Sequence, residues 1–148
     1  MELWELAARE RIRDTVARYN WSGDALRFDD LAETFCDDRE LELRATEPVH
    51  GRAAIVELLG GVVVAPNGTA QASGVRRIVR HNVTNICFTE VRPDEARVAC
   101  YFTVFTEIGL DHYGRCRHVF VPVGDDWLIR HRFVSTDRSA PESTMAHR

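Results

Sequence analysis

The sequence predicts an α+β fold in which three N-terminal helices pack on a curved antiparallel sheet and enclose a pocket. The first observation behind this prediction is a change of period: residues 1–65 follow the 3.6-residue period of helices, and the remainder follows the alternation of strands. The second is that short turns join the strand-like segments, which favours antiparallel neighbours because a parallel pair needs a long crossover. Helices covering one face of four long strands leave a pocket between the layers.

The first helix is predicted over residues 2–20. Ile12, Val16 and Tyr19 fall on one helical stripe, which Leu3 and Leu6 extend. Gly23 is the predicted end of this helix.

A second, shorter helix is predicted over residues 27–36 and a half-buried strand over 39–44. Gly51-Arg52 opens the third helix, and residues 65–74 are predicted to form a loop. Valine, isoleucine, threonine and aromatic residues then predict four long strands, at about 76–89, 95–108, 113–123 and 126–136. We therefore expect a single domain over residues 1–136 and a disordered tail over 137–148.

Composition excludes several classes of protein. The chain has 148 residues, 45% of them hydrophobic, and a net charge of −4, which is typical of one globular domain and excludes collagen-like, coiled-coil and fully disordered chains. Nucleic acid is not an expected partner, because the only basic cluster is Arg76, Arg77 and Arg80, interpreted as a solvated strand end. No apolar run is long enough to span a bilayer, so no membrane partner is expected.

The four cysteines form no Cys-x-x-Cys pair, and no signal peptide opens the chain. We therefore expect a cytoplasmic protein with reduced thiols. His112, Cys116 and His118 share a strand face, but alternate residues of one strand lie ~6–7 Å apart, too far to chelate one ion unaided. No metal site is predicted.

The candidate chemistry is that of acids and bases, since nucleotide-binding, serine-hydrolase and zinc-protease motifs are all absent. His81 begins the first long strand, and strict alternation places Asn85 on its face. Tyr19 lies on the apolar stripe of the first helix, and Asp24 follows Gly23. From these residues alone, Asp24 is either a group that faces the cavity or a cap of the second helix.

A set of short motifs resembles the SnoaL-like branch of the nuclear transport factor 2-like superfamily, which includes scytalone dehydratase and bile-acid 7α-dehydratase. The resemblance covers about residues 5–136. It rests on the order and spacing of its motifs, namely Tyr19-x-x-x-x-Asp24, Phe28-Asp-Asp-Leu31, Gly51-Arg52, His81 and Trp127-Leu-Ile-Arg130. It implies a cone-shaped fold around an apolar pocket.

The resemblance also implies roles for single residues. Asp24 and His81 fall at the positions of the catalytic dyad of those dehydratases, and Tyr19 at that of a tyrosine that polarises the substrate. His112 falls within about one residue of a later-strand histidine of scytalone dehydratase by hand alignment. Val104 stands about where the bile-acid enzyme has a second aspartate, and the acidic residue that polyketide cyclases carry near Arg117-His118 is missing.

The function predicted from this resemblance is a cofactor-independent lyase (dehydratase) or isomerase, with cyclisation left open, acting on a small hydrophobic cyclic or polyketide-like substrate. Asp24, His81 and Tyr19 are the predicted catalytic residues. The predicted substrate-binding residues are Trp21, Asn85, His112 and His118.

An alternative comes from a second resemblance, that of the segment from Arg80 to Arg132 to the β subunits of aromatic-ring-hydroxylating dioxygenases. Those subunits do no chemistry and assemble with an iron-bearing α subunit. A homodimer is expected instead, through a sheet face that carries Tyr101, Phe105, Val119 and Val121.

Overall fold

A computed structural model describes residues 1–44, 46–64, 78–143 and 145 of the chain, with no account of the side chains of 61–64. The predicted loop at 65–74, together with Arg76 and Arg77, lies outside the described residues. The described residues form three helices and six strands, which are α1 Leu3–Asp24, α2 Phe28–Ala32, β1 Phe35–Leu43, β2 Val49–His50, α3 Arg52–Val64, β3 Val79–Val91, β4 Ala96–Thr106, β5 Gly109–Val123 and β6 Asp126–Ser139.

The strands form one sheet in the order β2-β1-β6-β5-β4-β3, which confirms the α+β prediction. The strands from β3 to β6 are an antiparallel meander, as predicted. The sheet is nevertheless mixed, because β1 pairs in parallel with β6. The long chain segment between these two strands supplies the crossover that a parallel pair requires. The predicted boundary between α2 and β1 is also wrong, since α2 ends at Ala32 and β1 begins at Phe35.

Helix α1 lies across the inner face of the sheet. Its buried side begins at Ala8 and continues through Ile12 and Val16. The Thr15 hydroxyl donates a hydrogen bond to the carbonyl oxygen of Trp127, 2.7 Å away, and so ties α1 to β6. Leu3 and Leu6 do not extend the buried stripe, because they are 82% and 53% exposed.

Strand β3 changes the face that it turns inward part-way along its length. Its pairing with β4 shifts register between Thr84 and Cys87, and Asn85 has a left-handed backbone with φ of 54°. The alternation of partly buried and exposed side chains runs from His81 to Val83 and starts again at Ile86. A bulge of this kind inserts an extra residue and reverses the alternation beyond it. Asn85 is therefore exposed and does not share the face of His81, contrary to the prediction.

The last strand extends beyond its predicted end at residue 136. Strand β6 continues to Ser139, because the first residues of β5 provide hydrogen-bonding partners as far as the His112–Ser139 pair. Beyond the strand, the Ser143 hydroxyl bonds Asp111, and Met145 is 5% exposed.

Cys100 and Cys116 face each other on β4 and β5 and are joined by a disulfide. Directly opposite residues of neighbouring strands lie close enough for such a bond. The expectation of reduced thiols is therefore wrong for this pair, while Cys36 and Cys87 are free. In the described part of the chain, no helix is both long and apolar enough to span a membrane.

Candidate active site

A cavity of about 120 Å³ lies between the helices and the inner face of the sheet. Its wall is largely apolar and is built by side chains of α1, α2, α3 and every strand from β3 to β6 together with β1. The polar side chains that line it are Tyr19, Asn20, His81, His112, Arg132 and Thr136. A few convergent polar groups in an apolar cavity are typical of a small-molecule site.

Asp24 and His81 form the contact that the sequence suggested. Oδ1 of Asp24 lies 2.6 Å from the ring Nδ1 of His81, and Oδ2 accepts the backbone N–H of His81 at 2.9 Å. A hydrogen bond from Nδ1 to the carboxylate fixes the tautomer and leaves Nε2 as the acceptor. Because His81 lines the cavity, Nε2 is the nitrogen available to a ligand.

Local structure places Asp24 there without a break at Gly23. Helix α1 runs through Gly23 to Asp24, and the chain then reverses at Leu26, whose φ is 60°. A Cβ on Gly23 would lie 3.2 Å from Leu31 of α2, so this glycine allows α2 to pack closely on α1. A carboxylate in the last turn of a helix is disfavoured by the helix dipole. Its two hydrogen bonds to His81 offset that cost.

Asp111 and His112 form a second carboxylate–imidazole pair at the cavity. Oδ1 of Asp111 lies 2.6 Å from Nδ1 of His112. Asp111 is 2% exposed and also accepts hydrogen bonds from the hydroxyls of Thr106 and Ser143. Burial raises the pKa of Asp111, but the hydrogen bonds from Ser143, His112 and Thr106 outweigh it and bring the pKa below its usual value. The carboxylate is therefore ionised at neutral pH.

The two imidazoles belong to one row of the sheet. His81 pairs with Val104 of β4, and Val104 pairs with His112 of β5. Directly paired residues project to the same face, and two interstrand spacings separate the two histidine Cα atoms by about 10 Å. The sheet therefore holds both rings on the cavity side at a fixed separation, with the buried side chain of Val104 between them.

Tyr19 lines the same cavity, beneath the guanidinium of Arg132. The Arg132 Cζ atom is 4.2 Å from the centre of the Tyr19 ring, and Phe35 packs edge-on against the same ring at 5.9 Å. His118 does not line the cavity, contrary to its predicted role in substrate binding. It is 2% exposed beneath Arg132, whose Nη1 lies 3.1 Å from its Nε2.

Two further predicted substrate-binding residues lie away from the cavity. Trp21 is 75% exposed, because it falls on the solvent side of α1 between Tyr19 and Asp24. Asn85 is displaced by the bulge in β3. Of the four residues predicted to bind substrate, only His112 lines the cavity.

Asp111 and Arg132 were not among the site residues predicted from the sequence. The signal for Asp111 is an aspartate directly before His112 at the start of a predicted strand. The signal for Arg132 is its alternation with Val134 and Thr136, which places all three on one face of β6.

Two groups of described side chains have metal-ligand chemistry. Cys100, Cys116 and His118 lie together in the core, but the two sulfur atoms are bonded to each other and offer no thiolate. Glu40, Glu42 and His131 meet at neighbouring positions of β1 and β6, where His131 Nε2 lies 3.2 Å and 3.1 Å from the two carboxylates. Acidic groups of this kind are common in proteins without a metal ion. Neither group lines the cavity between the helices and the sheet.

Comparison with known proteins decides the family. A family model for the SnoaL-like domain matches residues 4–133. The chain belongs to the SnoaL-like domain family. The resemblance inferred from the sequence motifs is thereby confirmed.

Solved structures share the fold of this SnoaL-like domain at low sequence identity. The putative scytalone dehydratase of Novosphingobium aromaticivorans is 21% identical, with a TM-score of 0.74 over 97% of this chain and 90% of that one. An NTF2-like protein with a cystatin-like fold from the same species is 22% identical, with a TM-score of 0.72 over 96% and 91% of the two chains.

ActVI-ORFA of Streptomyces coelicolor is 20% identical to the SnoaL-like chain, with a TM-score of 0.70 over 90% of this chain and 97% of that one. No curated protein matches the sequence significantly. The structural similarities establish the cone-shaped fold of the family, while the chemistry of the site has to be argued from its own residues.

Proposed function

We propose that this SnoaL-like protein is a cofactor-independent acid–base enzyme, a dehydratase or isomerase of a small cyclic or polyketide-like molecule. The observation that carries the proposal is the 2.6 Å contact between Asp24 and His81, with His81 lining an apolar cavity. A carboxylate–imidazole pair of this kind orients the ring and stabilises the imidazolium when it forms. Asp111 and His112 support the proposal with a second such pair.

Elimination of water from a β-hydroxy ketone fits this arrangement. Nε2 of His81 removes the proton α to the carbonyl group, and the electron pair of that C–H bond moves into an enolate. The bond from the β-carbon to its hydroxyl oxygen then breaks, and the hydroxyl leaves as water with a proton from the His112 imidazolium. Exchange with solvent restores both rings. An isomerase follows if the proton returns to another carbon instead.

Tyr19 has a supporting role in this proposal. Its ring lines the cavity, and its hydroxyl is a neutral donor for the carbonyl oxygen as negative charge develops there. The apolar wall strengthens each of these interactions because it excludes water.

A bicyclic β-hydroxy ketone, 3-hydroxy-1-tetralone, tests the proposal, because its dehydration gives the fluorescent product 1-naphthol. Exchange of the α-protons of 2-tetralone with D₂O, followed by NMR, tests proton abstraction alone. The His81→Ala variant should lose about 10²–10⁴-fold in the rate of both reactions. Tyr19→Phe should lower kcat by about 10–10³-fold, the effect of removing one donor to a developing oxyanion.

His50→Ala is the matched control, because the His50 side chain is 69% exposed and pairs with Glu40 on β1, away from the cavity. Circular dichroism establishes that each variant is folded. A folded His81→Ala variant with the full rate would contradict the proposal. Failure of the natural-sequence protein to accelerate either reaction would also contradict it, as would activity that depends on an added partner chain.

A further inference from the structure

Arg132 is a buried cation that has no counter-ion in the described part of the chain. Its side chain lines the cavity, and the residue is only 6% exposed. Among the described residues, no carboxylate lies within 4.0 Å of its guanidinium, and its Nε has no hydrogen-bonding partner. The nearby Arg130 differs, because its guanidinium bonds the carboxylate of Glu95.

Among the residues that the structure describes, the groups in contact with the Arg132 guanidinium carry no negative charge. The face of the Tyr19 ring lies 4.2 Å below it, and His118 contacts Nη1 from the side. Burial, the charge of Arg132 and the nearby His131 hold the pKa of His118 well below its usual value, so His118 is a neutral acceptor. An aromatic face attracts a cation but does not neutralise it.

A lone buried charge is costly, so buried arginines are normally paired with acids. Stacking on Tyr19 also holds the planar guanidinium in a fixed position, ready to bind a carboxylate through two hydrogen bonds. A cavity that holds an oriented cation and no acid beside it is complementary to an anionic ligand.

We propose that Arg132 is the anion-binding subsite of this cavity and that the ligand is an organic carboxylate. The inference rests on the proposed function for the reacting end of the ligand and adds the class of substrate. Tyr19 lies against Arg132 and Asp24 bonds His81, and these two residues are five positions apart on α1, which is about 7.5 Å of helix axis. The carboxylate therefore lies several bonds away from the carbon at which His81 acts.

Paired probes of increasing length test this subsite by calorimetry: benzoate and benzamide, cinnamate and cinnamamide, 2-naphthoate and 2-naphthamide. Each pair has nearly the same shape and differs in charge. For at least one pair, the carboxylate should bind about tenfold or more tightly than its amide. Arg132→Met, which keeps the length of the side chain and removes its charge, should abolish the preference.

Arg117→Met is the matched control, since Arg117 is an exposed arginine over the Phe133 ring and does not line this cavity. It should keep the preference. Equal binding of carboxylates and amides to the natural-sequence protein would overturn the proposal, as would the absence of any carboxylate binding at millimolar concentration or a preference that survives Arg132→Met. The first two of these outcomes are measured on the natural-sequence protein, so they remain decisive even if Arg132→Met fails to fold.

Thermal stability separates an anion subsite from a purely structural arginine. Removing an uncompensated buried charge should leave the melting temperature of Arg132→Met unchanged or raise it. Equal binding of both probes by the natural-sequence protein, together with a fall in the melting temperature of Arg132→Met, would instead indicate a structural role.

His81→Ala separates the subsite from the proposed catalysis. This variant should keep the preference for carboxylates while it loses turnover. A fully active His81→Ala protein with the preference intact would overturn the acid–base function alone. A His81→Ala protein that has lost turnover and shows no preference for carboxylates over amides would overturn the subsite alone.

Discussion

His118 is a histidine that the fold keeps neutral. It lies in the core between Arg132 and the edge-on ring of Phe120. Burial, together with Arg132 and His131, lowers its pKa well below the ordinary value. In the unfolded chain the same ring binds a proton near pH 6.5. Protonation therefore favours the unfolded state.

The lowered pKa of His118 leads to a prediction of how the free energy of unfolding depends on pH. Below about pH 6.5 the unfolded state binds more protons at His118 than the folded state, so the free energy of unfolding should fall as pH is lowered, by up to about 1.4 kcal/mol per pH unit. His118→Gln should reduce that slope between about pH 7 and pH 5, because glutamine accepts the Arg132 hydrogen bond without titrating. Urea unfolding at a series of pH values measures the slope of the free energy of unfolding against pH.

His50→Gln is the control for this prediction, because its exposed side chain should leave the slope unchanged. A slope in His118→Gln equal to that of the natural sequence would show that other groups dominate acid unfolding.

The contact between Asp24 and His81 was expected from the family resemblance. Their positions alone left Asp24 as either a group that faces the cavity or a cap of the second helix. Arg132 was missed because an arginine in a strand is ordinarily solvated, and only its burial without an acid reveals its chemistry. Asp111 was missed because it directly precedes His112, whereas residues on the same face of a strand are two positions apart.

At the scale of the element, the bulge in β3 decides which side chains reach the cavity. Asn85 occupies the left-handed region, which asparagine tolerates better than branched residues do. The register shift after Thr84 lets His81 and Ile86 both turn inward along one strand.

Substitutions of Asn85 test this account of the strand. Asn85→Val should lower the free energy of unfolding by about 1–2 kcal/mol, because a Cβ-branched residue is strained in the left-handed region. Asn85→Gly should change it by less, since glycine adopts that backbone freely. Urea unfolding measures both variants.

Thr84→Val is the control, because Thr84 is an exposed neighbour whose φ is not positive. Equal stability of Asn85→Val and Asn85→Gly would show that the backbone conformation at the bulge imposes no such constraint.

The positions of the helices and strands were predictable from the hydrophobic period and the turn residues. The pairing of the strands was less predictable. Alternation locates a strand but cannot detect an inserted residue, which is why Asn85 was placed on the wrong face. The parallel pairing of β1 with β6 joins segments far apart in the chain, and no local pattern specifies it. The disulfide depends on the same tertiary register, since Cys100 and Cys116 are brought together only by the pairing of β4 with β5.

At the scale of the whole molecule, the outer face of the sheet carries exposed apolar side chains. Tyr101 is 54% and Phe105 45% exposed, and Leu110 lies opposite Phe105 on the next strand. Val119 and Val121, which were expected on the same surface, are only half-exposed. Clustered exposed apolar residues favour an interface, so the homodimer remains a prediction.

The combined Tyr101→Asp and Phe105→Asp variant should convert a dimer to a monomer, because two charges would be buried at the contact. Light scattering after size-exclusion chromatography measures the mass. Trp21→Asp is the control, since it removes an even more exposed aromatic side chain from α1. A monomeric natural-sequence protein, or a variant that stays dimeric, would refute the prediction.

In the sheet formed by the described residues, β3 is an edge strand, and no described strand pairs with its other side. The backbone N–H of His81 points to that open side, and the carboxylate of Asp24 occupies it. Unoccupied donors along such a border are where a foreign strand adds and aggregation begins. One carboxylate thus serves two requirements, the orientation of an imidazole and the solubility of the chain. Loss of Asp24 therefore exposes this donor to strand addition as well as releasing the imidazole.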